Sequence, residues 1–124
     1  MLLGPAGNLL AEAGNTVATD GDCTAHAEMN AIRAASRGHG RGAARGGTLY
    51  ASAEPCPMCA GAIHWAGIGR LVHGADIAAL GRLGGAAASS AAMPDMGCRE
   101  VFAAMRSGVD VLGPLLEAES LALL

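Results

Sequence analysis

The residues best equipped for chemistry are one imidazole, one carboxylate and two thiols in two short runs, His26-Ala27-Glu28 and Pro55-Cys56-Pro57-Met58-Cys59. One ring nitrogen and two thiolates are donors that zinc prefers in tetrahedral geometry. Three protein ligands leave a fourth position open to water, the catalytic rather than the structural arrangement. Both cysteines fall near the start of an expected helix, where the positive end of the helix dipole favours thiolate over thiol. Glu28 is surplus as a ligand. A carboxylate beside a zinc-activated water can take its proton and return it to a leaving group, so the four residues read as a hydrolytic centre holding one Zn2+ per chain. The alternative is a closed zinc knuckle with Glu28 on the surface. Cys23, three residues before His26, is a candidate fourth ligand that would close the site, against a plain buried thiol. Cys98 reads as core.

Periodicity supplies the elements that must hold these residues. Leu2-Leu3, a turn over Gly4 to Asn8, and Leu9 to Ala13 form a hairpin. Gly14 to Cys23 is polar and loop-like. From Thr24 the apolar positions Ala25, Met29, Ile32 and Ala35 recur every three or four residues, which predicts a helix capped by Asp22 or Thr24 and ended near Gly38. Thr48 to Ser52 is a strand. Pro57 suits the first position of a helix reaching Ala66. Arg70 to Gly74 is a strand, Ala75 to Leu83 a helical turn, and Gly84 to Ala92 a small-residue loop. Arg99 to Arg106 is a helix, Val109 to Leu112 a strand, and Pro114 to Leu124 a last helix. Alternating strands and helices without internal repeats give an α/β sandwich around one sheet.

Composition narrows the class. The 124 residues fit one domain, and a hydrophobic fraction of 52% excludes a disordered tail. With one Trp, one Tyr and one Phe, much of that fraction is Ala, so elements must pack through small contacts. No apolar run approaches the ~20 residues of a membrane span. The start lacks a signal peptide's basic region, which points to the reducing cytoplasm and to metal or catalytic use of the cysteines. A net charge of −3 excludes the broad basic excess of a dedicated nucleic-acid binder. All eight basic residues are Arg, a trait best explained by GC-rich coding. Arg33, Arg37, Arg41 and Arg45 recur every four residues, but the glycines between Arg37 and Arg45 interrupt the helix that would make them one RNA-facing stripe. His39, His64 and His73 have no metal-ligand spacing and read as surface or core residues.

H-x-E paired with P-C-x-x-C is the signature of the zinc-dependent nucleobase deaminases. His26 to Ile32 and Glu54 to Ile63 resemble the cytidine deaminase-like superfamily, closest to its guanine deaminase and tRNA adenosine deaminase branch. The resemblance runs from about Gly14 to Leu83 and weakens beyond. It implies a three-layer α/β/α sandwich with a central mixed sheet of about five strands. It also implies substrate contacts at Asn15, whose carboxamide would pair with a base edge, and at Ala27. Asp22 to His26 matches the family's Asp-Pro-Thr-Ala-His with Cys23 in place of proline. Ile63-His64-Trp65-Ala66 is similar to a guanine deaminase segment, so Trp65 is either a pocket wall or a core aromatic. Asp95 is a further candidate base contact, against an ordinary loop residue. Asn30, on the helix face of His26, is either a support to the metal site or a structural hydrogen-bonder.

Two departures stand out. The helix that the family places before the hairpin is missing, which would leave one sheet face thinly covered, and the aromatic C-terminal segment of guanine deaminases has no match. The expectation is therefore a single deaminase domain over 1–124, commonly a homodimer in this branch. It would be a hydrolase of C–N bonds in cyclic amidines, with a guanine-type purine base or nucleoside as substrate. The second reading is a tRNA adenosine deaminase. The third, of another class, is an inactive zinc-stabilised interaction protein.

Overall fold

The computed structural model describes residues 1–83 and 95–124, so the loop expected over 84–92 lies outside the described residues. Five strands form one mixed sheet: β1 (Leu2–Leu3), β2 (Leu9–Ala11), β3 (Thr48–Ala53), β4 (Arg70–Ala75) and β5 (Asp110–Leu112), in the order β2-β1-β3-β4-β5. β1 runs antiparallel to β2 and β3, whereas β3, β4 and β5 are parallel. The helices are α1 (Val17–Asp20), α2 (Ala27–His39), α3 (Pro57–Ala66), α4 (Ile77–Arg82), α5 (Cys98–Ala104) and α6 (Glu117–Ala122).

Strand alternation sorts the helices into layers. Leu49 of β3 and Leu71 of β4 point into a core shared with Ile63 of α3, Phe102 of α5 and the buried Ala31 and Ala35 of α2. The small alanines let α2 and α3 approach the sheet closely, as the composition requires. The opposite face of β4 carries Gly74, where an added Cβ would collide with the Ser52 carbonyl and the Ser120 side chain of α6. α6 is thus seated on the second face through a backbone approach that only glycine permits. On that same face Tyr50, Val72 and Leu112 form a row across three strands, and Tyr50 and Leu112 remain exposed. The arrangement is the expected three-layer α/β/α fold.

Three local expectations are corrected. The polar segment read as loop contains the helical turn α1, because Asn15 Oδ1 accepts the Val17 N–H at 3.0 Å and the Thr16 hydroxyl donates to Asp20 at 2.6 Å. Hydrogen bonds of this kind leave no apolar period to read. α2 starts at Ala27 rather than Thr24, since His26 is held extended at its N-cap; Asp22 instead accepts from the N–H and hydroxyl of Thr24 in a turn before it. Its other end agrees with the expected stop near Gly38: α2 closes at His39, with Gly40 after it at φ 91°. The last helix begins at Glu117, because Leu115 is still tied to the sheet through its N–H to the His73 carbonyl at 3.0 Å and Leu116 has φ 51°.

Candidate functional site

The site lies where two helices begin beside the C-terminal end of β3. His26 is the N-cap of α2 and Cys56 the N-cap of α3, with Pro57 at that helix's first position. Neither side chain caps its own helix, so both remain free to face one another. His26 Nδ1 lies 3.7 Å from Cys56 Sγ and 3.7 Å from Cys59 Sγ. All three donor atoms fall within 4.8 Å of one another, a set able to hold a metal ion. The Cys59 thiol donates to Glu28 Oε2 at 3.6 Å, which puts the carboxylate at the edge of the donor set and outside it.

The electrostatics agree with a metal centre. Hydrogen bonding from the Cys59 thiol, helped by the Cys59 N–H and by His26, outweighs burial and lowers the Cys56 thiol to about 5. Cys59 is pushed up by its bond to Cys56, by burial and by the Glu28 carboxylate. A divalent cation would take both sulfurs as thiolates. Burial raises the Glu28 carboxyl above the ordinary carboxylate range. A carboxyl with raised proton affinity beside a metal-ligand set is suited to carrying protons.

Asn30 builds the approach to this centre. Its amide donates to the Gly14 carbonyl at 3.0 Å, the Thr16 hydroxyl at 2.9 Å and the Ala25 carbonyl at 3.2 Å. The Thr16 N–H also reaches the Ala25 carbonyl at 2.9 Å. The loop carrying Asn15 is thereby clamped to the residues preceding His26, and Asn30 acts as a structural hydrogen-bonder. Asn15 itself is exposed, with its carboxamide oxygen engaged by Val17, and Ala27 is half-buried at the first position of α2.

The remaining candidates stand apart. Cys23 is exposed and outside the donor set, which corrects both its readings, because the turn at Asp22 holds it ahead of α2. Trp65 is 80% exposed, so it is no core aromatic; α3 turns it outward, its ring T-shaped to that of His64. Asp95 is exposed. Arg33 bonds the Thr24 hydroxyl at 3.0 Å and shares an open cleft with Arg37 and Asp20, while Arg41 and Arg45 lie beyond the end of α2.

Sequence reasoning gave no role to Glu54. Its two carboxylate oxygens accept the N–H groups of Ile77 at 2.9 Å and Cys98 at 2.8 Å. Burial works against this carboxylate, and those N–H groups more than offset it, holding the carboxyl below its usual range. Partners so far away along the chain leave no spacing signal.

Residues 1–75 match the family model for the cytidine and deoxycytidylate deaminase zinc-binding region. The chain belongs to this family. Zinc is accordingly the metal that the His26, Cys56 and Cys59 donors fit. A probable cytosine deaminase of Schizosaccharomyces pombe is 36% identical over 92% of this chain and 68% of its own length. The guanine deaminase of Bacillus subtilis is 52% identical over 48% of this chain and 38% of its own. A solved structure of a tRNA:A34 deaminase superimposes with a TM-score of 0.74 and 32% identity, covering 99% of this chain and 81% of that one. The matched stretch is only 16% of a tRNA(Ile)-lysidine synthase of Deinococcus deserti, so the chain spans a small part of some relatives. No helix among the described residues is long and apolar enough to cross a membrane.

Replacing Cys56 or Cys59 by Ala is expected to release zinc from this donor set. It should also remove the linked stabilisation, about 2.7 kcal/mol if free zinc stands at 100 times its dissociation constant. Elemental analysis and thermal melts with and without zinc check this, and undiminished metal in both variants would remove these residues from the site.

Proposed function

We propose that residues 1–124 act as one zinc-dependent hydrolytic deaminase domain that releases ammonia from an amino-substituted purine base or nucleoside, with guanine-type substrates favoured. The observation that carries this reading is the placement of Glu28, 3.6 Å from Cys59 Sγ yet outside the three-donor set. Zinc held by His26, Cys56 and Cys59 supplies a Lewis acid that makes a water acidic near neutral pH. Glu28 takes the proton of the attacking water and holds it, its burial having raised its proton affinity. It then delivers that proton to the ring nitrogen next to the carbon under attack. The proton left on the attacking oxygen then passes by way of Glu28 to the amino group, the C–N bond breaks, and ammonia leaves while that oxygen stays on the base as a carbonyl. Asn15 and Ala27 are the proposed base contacts, Asn15 on the loop that Asn30 clamps beside His26.

Glu28→Ala should keep its zinc and lose turnover by at least the ~10²–10⁴-fold typical of one acid–base group. Ammonia release within tenfold of the parent, at equal zinc content, would remove Glu28 from the mechanism. Ammonia release by the parent on any substrate would exclude the inactive zinc-stabilised protein.

A tRNA adenosine reading is kept because the tRNA:A34 deaminase structure covers nearly the whole chain and Arg33 and Arg37 share one cleft. The net charge of −3 and the 52% identity to a guanine deaminase favour the small purine. Turnover of guanine, adenine, cytosine, their nucleosides and tRNA should separate them. A small purine gives rates nearly flat with salt. A tRNA substrate gives binding that weakens steeply with salt, by a slope of about 0.7 to 0.9 per phosphate neutralised. Steep salt dependence that is lost when Arg33, Arg37, Arg41 and Arg45 are all neutralised would overturn the guanine-type assignment.

We also propose a cytoplasmic homodimer. All four cysteines are free, as cysteines of a reducing compartment usually are, and Tyr50, Leu112, Leu115 and Leu116 stay exposed. Light scattering at micromolar concentration should give a dimer mass; a sharp monomer would count against it.

A further inference from the structure

A second cluster of donor atoms lies on the other side of Pro55. Glu54, His73 and Cys98 each offer one ligand atom, and these atoms fall within 4.8 Å of one another, the same envelope that encloses His26, Cys56 and Cys59. Three separate parts of the fold supply them: the residue that follows β3, the middle of β4 and the first residue of α5. Pro55, itself fully buried, separates Glu54 from Cys56, so adjoining residues of one short loop face two different donor sets.

The site is built rather than incidental. Cys98 is 0% exposed and His73 3% exposed. His73 Nδ1 is buried with no hydrogen-bond partner, and a nitrogen of the same ring lies within 4.8 Å of the Glu54 and Cys98 donor atoms. An unpaired polar group in a core is costly unless a partner satisfies it. The ring is also fixed in place: a Cβ on Gly113 would meet its Cδ2 and Nε2 at 2.5 Å, so the segment after β5 closes directly over it. Glu54 is held by the N–H groups of Ile77 and Cys98. A carboxylate has about four lone-pair sites, so both oxygens keep acceptor capacity after those bonds.

We propose that Glu54, His73 and Cys98 form a second, buried zinc-binding site, distinct from the one the family signature marks. Nitrogen, sulfur and oxygen donors together match the ligand preferences of zinc. Charge balances as well. One carboxylate and one thiolate neutralise a divalent cation, leaving a neutral imidazole as third ligand and no net charge in the core, where an unpaired charge is costly. Burial, then the Glu54 carboxylate, raises the free Cys98 thiol to about 12. Binding therefore exchanges its S–H bond for a zinc–sulfur bond and passes one proton to solvent. Bound zinc would tie β3, β4 and α5 together and stiffen the loop that presents Cys56.

The test is metal content after incubating the whole protein with excess zinc and removing unbound ion by gel filtration. The parent should hold about two zinc ions per chain, and Cys98→Ser, His73→Gln and Cys56→Ala about one each, because each variant loses one ligand of one site. Circular dichroism establishes which variants are folded. Cys98→Ser and His73→Gln are near-isosteric, and either one, folded, is sufficient. A parent that stops at one zinc, or a folded Cys98→Ser or His73→Gln that still holds two, overturns the proposal. Ammonia release separates it from the deaminase reading: an inactive parent with two zinc ions would refute the reaction and leave this site standing.

Discussion

Everything chemical in this protein depends on two helix starts being held face to face. His26 and Cys56 are N-cap residues whose backbones are extended, at ψ 154° and 168°, so their side chains leave the helix axis instead of joining the first turn. An N-cap more often uses a short oxygen-bearing side chain to satisfy the first N–H groups. Here neither side chain makes that bond. The helix starts are held from outside: α3 by the rigid Pro55 and Pro57 around Cys56, and α2 by Asn30, which bonds back to the carbonyls of Gly14 and Ala25. The sheet sets the distance between them, since the parallel β3 delivers its chain directly into Cys56.

The same constraint explains why so small and aromatic-poor a chain can make a precise site. Alanines at 31, 35 and 60 are almost wholly buried, letting α2 and α3 sit close to the sheet and to each other. Gly74 does the same for α6 on the other face. Close packing through small residues leaves little slack, so a shift of one helix moves a ligand. The core is polarised accordingly. On the α3 and α5 side it encloses the titratable residues, and on the α6 side it leaves Tyr50 and Leu112 exposed.

Much of the site was legible because its two halves are local. His26 and Glu28 are close neighbours on one helix start, and Cys56 and Cys59 lie within one turn of another, so spacing alone gave the zinc chemistry. The long helices and the parallel strands were legible from their apolar period. What escaped has a common cause, contact between residues far apart along the chain. Glu54 reaches N–H groups at Ile77 and Cys98, and His73 meets Cys98 only through the fold. The turn α1 escaped because polar hydrogen bonds, not an apolar stripe, hold it. The core reading of Trp65 failed because an aromatic on an Ala-rich helix suggests burial, whereas α3 buries Cys59, Ala60 and Ile63 and turns Trp65 to solvent.

In the proposed centre one nitrogen and two sulfurs hold zinc, with Glu28 beside the set and not in it. Zinc-edge X-ray absorption on the Cys98→Ser protein, compared with the same protein also carrying Glu28→Gln, reads that shell. Two zinc–sulfur distances of about 2.3 Å and one zinc–nitrogen distance of about 2.0 Å are expected, all unchanged by the Glu28 substitution. A shell with fewer than two sulfurs, or one that loses a ligand when Glu28 is replaced, would rule this centre out.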